Sequence, residues 1–98
     1  MAYKLIWAPS ARLDLKELAS YIAESRPAVA ARFVQHVFRM VEHLADFPES
    51  GRVVPEFEDP SIREVIRKPC RIVYRVKSQE RIVEIARVWH AARGTPQL

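Results

Sequence analysis

The chain ends its last strongly apolar segment with Arg87-Val-Trp-His90, follows it with Arg93, and carries Arg71 and Arg75 four residues apart upstream. An imidazole ordinarily titrates near pH ~6.5, which makes His90 a candidate general acid or base, and guanidinium groups can stabilise negative charge that develops beside it. His90, Arg71, Arg75 and Arg93 are therefore the residues whose types could do acid–base chemistry on an anionic substrate. The competing reading is structural: His90 closes an apolar strand, where a histidine serves as a cap. Two further histidines, His36 and His43, are seven residues apart. On a helix that is about two turns, whereas zinc wants an i, i+4 pair or a third ligand, so they read as solvated and no metal or cofactor site is expected.

The elements that must position these residues fit in one domain, residues 1–98, since 98 residues with 49% hydrophobic content build a single core. No apolar run approaches the ~20 residues of a membrane span, and Pro9 interrupts the start, so the expectation is a soluble, cytoplasmic protein without membrane contact. The lone Cys70 excludes an internal disulfide and reads as a half-buried hydrophobe. The net charge of +4 is unevenly distributed. Residues 1–60 carry seven Lys/Arg against nine Asp/Glu, and residues 61–98 carry nine against three. A basic C-terminal half suggests a polyanionic target, an acidic protein partner, or both; the plainer reading is that these cations solvate strand edges and discourage edge-to-edge pairing.

Hydropathy patterning gives the order of elements. Tyr3 to Ala8 reads as a strand ending at Pro9. Ser10 offers a helix N-cap with Asp14 in the first turn, and Leu15, Leu18, Ala19 and Ile22 form an apolar stripe closed by Pro27. A second helix runs from about Ala28 to Phe47 with Phe33, Val37, Met40, Val41 and Leu44 on one stripe. Val34, Phe38 and Ala45 widen it beyond what one packing surface needs. Few residues separate the helices, which predicts an antiparallel hairpin. Pro48 to Pro60, with three prolines and a glycine, must be a loop. Ile62 to Ile66, Cys70 to Val76 and Arg81 to His90 read as three strands, the last apolar on both faces as a central strand is. The fold class is α+β: an N-terminal strand, a helical hairpin, then a three-stranded antiparallel meander forming a small sheet. Alternation puts Ile72, Tyr74 and Val76 on the covered face, and Arg71 and Arg75, joined by Arg63 or Arg87, on a face nothing in the chain covers.

In this order the residues resemble the RelE/ParE toxins of bacterial type II toxin-antitoxin modules. Trp7-Ala-Pro-Ser-Ala11, Asp14-Leu15 and Tyr21-Ile22 look like the family's opening. Gly51-Arg52, Ile62-Arg63-Glu64, Arg71 to Val76, Ile85 to Val88 and His90-x-x-Arg93 are similar to its second half. The resemblance implies a β-α-α-β-β-β toxin neutralised by a cognate acidic antitoxin, of the kind associated with growth inhibition and plasmid stabilisation. A target- or antitoxin-binding set would be Arg63, Arg71, Arg75, Arg87, His90 and Arg93 with Val34 and Phe38. ParE-like members poison DNA gyrase by binding. RelE-like members cut messenger RNA on the ribosome, which here would use His90, Arg71, Arg75 and Arg93. Many nuclease members end with a tyrosine and several lysines, whereas here Ala91 and Ala92 follow His90 and no tyrosine follows Tyr74. Glu64 and Glu84 could stand in, but read better as strand-face partners of arginines. The tail therefore favours the gyrase poison, not itself an enzyme, over the ribosome-dependent endonuclease.

Overall fold

The computed structural model describes residues 2–98. Strand β1 (Lys4–Trp7) leads into helices α1 (Pro9–Ala23) and α2 (Pro27–Asp46), then β2 (Arg52–Val53), β3 (Ile62–Arg67), β4 (Cys70–Lys77) and β5 (Ile82–His90), closed by a 3₁₀ turn (Ala91–Arg93). The three-stranded antiparallel meander forms as expected from β3, β4 and β5. Two strands extend it. β2, inside the segment expected to be only loop, pairs antiparallel with β3, and β1 pairs parallel with β5, so the sheet is mixed with the order β1-β5-β4-β3-β2. β5 lies inside the sheet between β1 and β4, which accounts for its apolar character on both faces. No helix among the described residues is long and apolar enough to cross a membrane.

Proline chemistry sets the helix starts differently from the first reading. Pro27 does not close α1; it opens α2, at a position where its missing N–H costs nothing. Ser10 is not the cap of α1, because the helix already begins at Pro9 with Ala8 before it. The stripes Ala11, Leu15 and Phe33, Val37, Val41, Leu44 pack against Ile72, Tyr74, Val76, Val83, Ile85 and Val88 on one sheet face. Tyr74 is core as read. Its hydroxyl donates to Pro48 O at 2.8 Å and accepts from Gly51 N at 3.0 Å. Gly51 is required there, since a Cβ would lie 2.5 Å from both Glu64 O and that hydroxyl. Cys70 is fully rather than half buried, and burial pushes its thiol pKa up.

The edge of β5 explains what Ser10 and Asp14 do instead of capping. β1 runs out at Trp7, opposite Ile85, leaving the rest of that edge without a strand. The beginning of α1 takes over. Ser10 Oγ donates to Ala86 O at 2.8 Å, and Asp14 Oδ2 accepts from Val88 N at 3.0 Å. Both Asp14 oxygens also accept from Arg87, each at 2.8 Å. A backbone donor left unpaired in a largely buried strand is costly, so one carboxylate substitutes for a missing strand and neutralises a neighbouring guanidinium. Asp14→Ala removes both services and should lower stability by about 2 kcal/mol. In urea unfolding this would appear as a lower midpoint at unchanged slope; an unchanged midpoint would show that the edge does not need the carboxylate.

Candidate functional site

The uncovered arginine face does not form. Arg71 lies on the same side as Val73, Arg75 and Trp89, but Val73, Trp89 and Glu64 there are buried, and Arg71 is only 8% exposed. The returning loop supplies Val54, which is fully buried, and the C-terminal residues 94–98 supply the buried Pro96. Arg71 Nη1 and Nη2 make a two-pronged pair with Glu56 at 2.8 and 2.7 Å, and Arg71 Nε donates to Glu64 Oε1 at 2.6 Å. Arg52 Nε holds the other Glu64 oxygen at 2.7 Å. Strand alternation predicts the side to which Arg71 points. It carries no information on a loop that comes back over that side with its own carboxylate.

The remaining candidates are also mostly engaged. Arg75 pairs with Glu84 at 3.2 Å, and Lys77 reaches the same carboxylate at 3.8 Å, so Glu64 and Glu84 are the strand-face partners their positions implied. Arg63 does not share the face of Arg71: it sits opposite Tyr74 and donates to Pro60 O and Gly51 O, with Glu49 at 3.7 Å. Arg87 bends round the sheet edge to Asp14 and donates to Gln97 O. It also stacks on Trp89, 4.7 Å from the ring centroid. Arg93 has no carboxylate partner among the described residues and lies 3.8 Å from the centroid of the same ring. The guanidiniums are thus distributed over two faces and an edge. Arg75 is five residues from Cys70, the strand partner of His90, a separation of roughly 16 Å along the strand.

His90 Nδ1 accepts from Ala92 N at 3.1 Å and so caps the 3₁₀ turn. With Nδ1 used as an acceptor, the neutral ring carries its proton on Nε2 and presents a donor rather than a base. His90 lines a hollow of about 210 Å³ with Tyr21 and Arg93, residues that strand patterning alone does not connect. Val34 and Phe38 lie where the helix girth placed them. Phe38 is 44% exposed, packs edge-on against Trp7 at 5.5 Å, and lines with Val34 a groove of about 470 Å³ between α1 and α2. A second hollow of about 480 Å³ shares Ala19 and Val34 and continues the groove past Ala23 and Ala30. His36 and His43 are exposed, and among the described residues no cluster of His, Cys, Asp and Glu could hold a metal ion. Glu56 and Asp14 were missed as partners because neither loop position nor helix phase reveals a contact across the fold.

The Arg71 clamp makes acid sensitivity specific. Arg71 hydrogen bonds hold the Glu56 carboxyl down from an ordinary 4.5 to about 2. A depressed carboxylate contributes stability above its unfolded pKa and loses it as pH falls through the folded value. Wild type should therefore lose stability between pH 4.5 and about 2 more steeply than Glu56→Gln, measured by thermal unfolding across that range. Arg71→Ala leaves the buried Glu64 carboxylate with Arg52 alone and Glu56 without its cation, and should cost about 3 kcal/mol at neutral pH; an Arg71→Ala variant as stable as wild type would show that the clamp does not stabilise the fold.

The model of the ParE toxin of type II toxin-antitoxin systems (parDE) matches residues 5–94. Y4kP of Sinorhizobium fredii is 35% identical over 97 residues, covering 97% of this chain and 95% of its own length. Toxin RelE2 of Caulobacter vibrioides is 29% identical over 90 residues, covering 92% and 97%. Among solved structures, the chromosomal ParDE toxin-antitoxin system of P. aeruginosa superposes with a TM-score of 0.73 at 25% identity, over 91% of this chain and 96% of that one. A match that spans the sheet, both helices and His90 makes this chain a member of the ParE toxin family of type II toxin-antitoxin systems, within the RelE/ParE superfamily.

Proposed function

We propose that this toxin arrests growth in the cytoplasm by binding DNA gyrase, and that a cognate acidic antitoxin holds it inactive. The observation that carries the first half is the occupied Arg71. Cleaving a phosphodiester needs cations free to meet charge developing in the transition state, and a guanidinium already clamped by Glu56 and Glu64 is not free. His90, held as a donor by its cap, is a poor base for a 2′-hydroxyl. What remains accessible is a surface for binding. The antitoxin half rests on the apolar groove between α1 and α2, whose length and exposed Phe38 suit an amphipathic helix laid along it. The P. aeruginosa relative, solved as a ParDE system, supports a partner of that kind.

The alternative is a ribosome-dependent endonuclease using His90 with Arg71, Arg75 and Arg93. It is favoured by the hollow in which Tyr21, His90 and Arg93 meet, since Tyr21 there could act as the second acid–base group that the tail lacks. Purified toxin should inhibit gyrase supercoiling or trap cleaved DNA on the enzyme while ribosome-bound message stays intact. New 5′ ends inside translated messages, lost on His90→Ala, would reverse the order. For the partner, Phe38→Glu places a charge on an exposed rim without entering the core. It should weaken antitoxin binding by about tenfold or more in a titration of the complex, at unchanged gyrase inhibition.

A further inference from the structure

Arg63, Arg71, Arg75, Lys77 and Arg87 all have carboxylate partners. Arg67 and Lys68, at the tip of the β3–β4 hairpin, have none among the described residues, and neither does Arg26 in the turn between α1 and α2. The fold brings these three together around one hollow of about 510 Å³. Its floor includes Phe33, over which Arg67 lies at 5.1 Å from the ring centroid, and its rim includes Tyr21, which is 74% exposed.

Two more features of the hollow favour an anion. Arg67 Nη1 donates to Lys68 O, but Arg67 Nε is buried with no acceptor among the described residues. A buried donor without a partner is costly unless a ligand supplies the oxygen. The other is α2 itself. This 20-residue helix begins at the hollow with no side-chain cap and no acidic residue in its first turn, so its free N–H groups and the positive end of its dipole stay available. One carboxylate, Glu24, lines the hollow against the three cations.

We infer that this hollow is a binding site for a backbone phosphate of single-stranded DNA, with the neighbouring base stacked on Tyr21. The pairing of a cationic seat with an exposed aromatic ring beside it is how single strands are held without sequence preference. The assignment rests on the gyrase reading, in which the toxin works beside DNA opened by the enzyme. It adds a second contact, to the nucleic acid, at a hollow that shares no lining residue with the antitoxin groove.

The test is a salt titration of a short fluorescent single-stranded DNA with the purified full chain. Three cations should give a slope of log K against log salt of about −2, each contributing about −0.7. Arg67→Gln/Lys68→Gln, at the surface of a hairpin tip, should bring the slope to about −0.7 and weaken binding about tenfold. Tyr21→Ala should cost about tenfold through lost stacking. Glu24→Gln removes the opposing carboxylate and should tighten binding, which keeps the idea testable should the double variant fold poorly. Unchanged affinity and slope in the Arg67/Lys68 variant, or an RNA strand of the same sequence held tenfold more tightly, would overturn the assignment. Inorganic phosphate should compete only weakly, because it brings no base to Tyr21; full displacement at low concentration would overturn the stacked pose. A wild-type chain that holds the strand yet leaves gyrase active sinks the gyrase reading alone. A gyrase poison whose Arg67/Lys68 variant holds the strand undiminished sinks this inference alone.

Discussion

Glu64 is 1% exposed, and burying a carboxylate is costly unless cations and donors are arranged around it. Arg71 and Arg52 supply them, and Glu56 completes the clamp from the loop side. Much of the sheet's second face follows from that constraint. The loop after β2 has to return across the strands to deliver Glu56. Gly94 O meets both Arg71 Nη1 and Trp89 Nε1, and so ties the chain's last residues to the same cluster. What alternation presents as an open basic hollow is consequently closed, and its most central charge is spent on internal pairing.

The same economy operates at the sheet edge. Asp14 satisfies a strand N–H and a guanidinium together, and Ser10 takes the carbonyl two residues earlier. α1 is thereby fastened to β5 by polar contacts in addition to the Leu15 stripe, leaving the outward sides of both helices for other molecules. A chain this small cannot cover all of its apolar surface, and the exposed Phe38 and the alanine-lined groove beside it are the part left open. A family whose members work in pairs with neutralising proteins is a natural context for such a surface.

Function on this scaffold depends on which charges remain available once folding has used the others. The net charge of +4 describes none of this, because the arginines nearest the sheet centre are those most fully neutralised. Arg26, Arg67, Lys68 and Arg93, none with a carboxylate partner among the described residues, line two hollows at the end of the molecule where Tyr21 and His90 also lie. A recognition surface there is compatible with a core made rigid by its internal ion pairs.

The order of every element but β2, the helical hairpin, the meander, the place of β5 inside the sheet, the Tyr74 core position and the surplus apolar width of α2 were all legible in the sequence. Each is a consequence of local periodicity, which acts over a few residues and survives whatever the rest of the chain does. The family, too, was readable, from spacings that persist along nearly the whole chain. Beyond that, the tertiary structure decided the parallel placement of β1, the helix starts at Pro9 and Pro27, and the pairing of Arg71 with Glu56 and of Arg87 with Asp14. Asp14 meets Arg87 across 73 positions and Glu56 meets Arg71 across 15. A side chain's charge is written in the sequence, but whether it is free depends on which carboxylate the folded backbone brings within about 3 Å, and no local pattern encodes that distance.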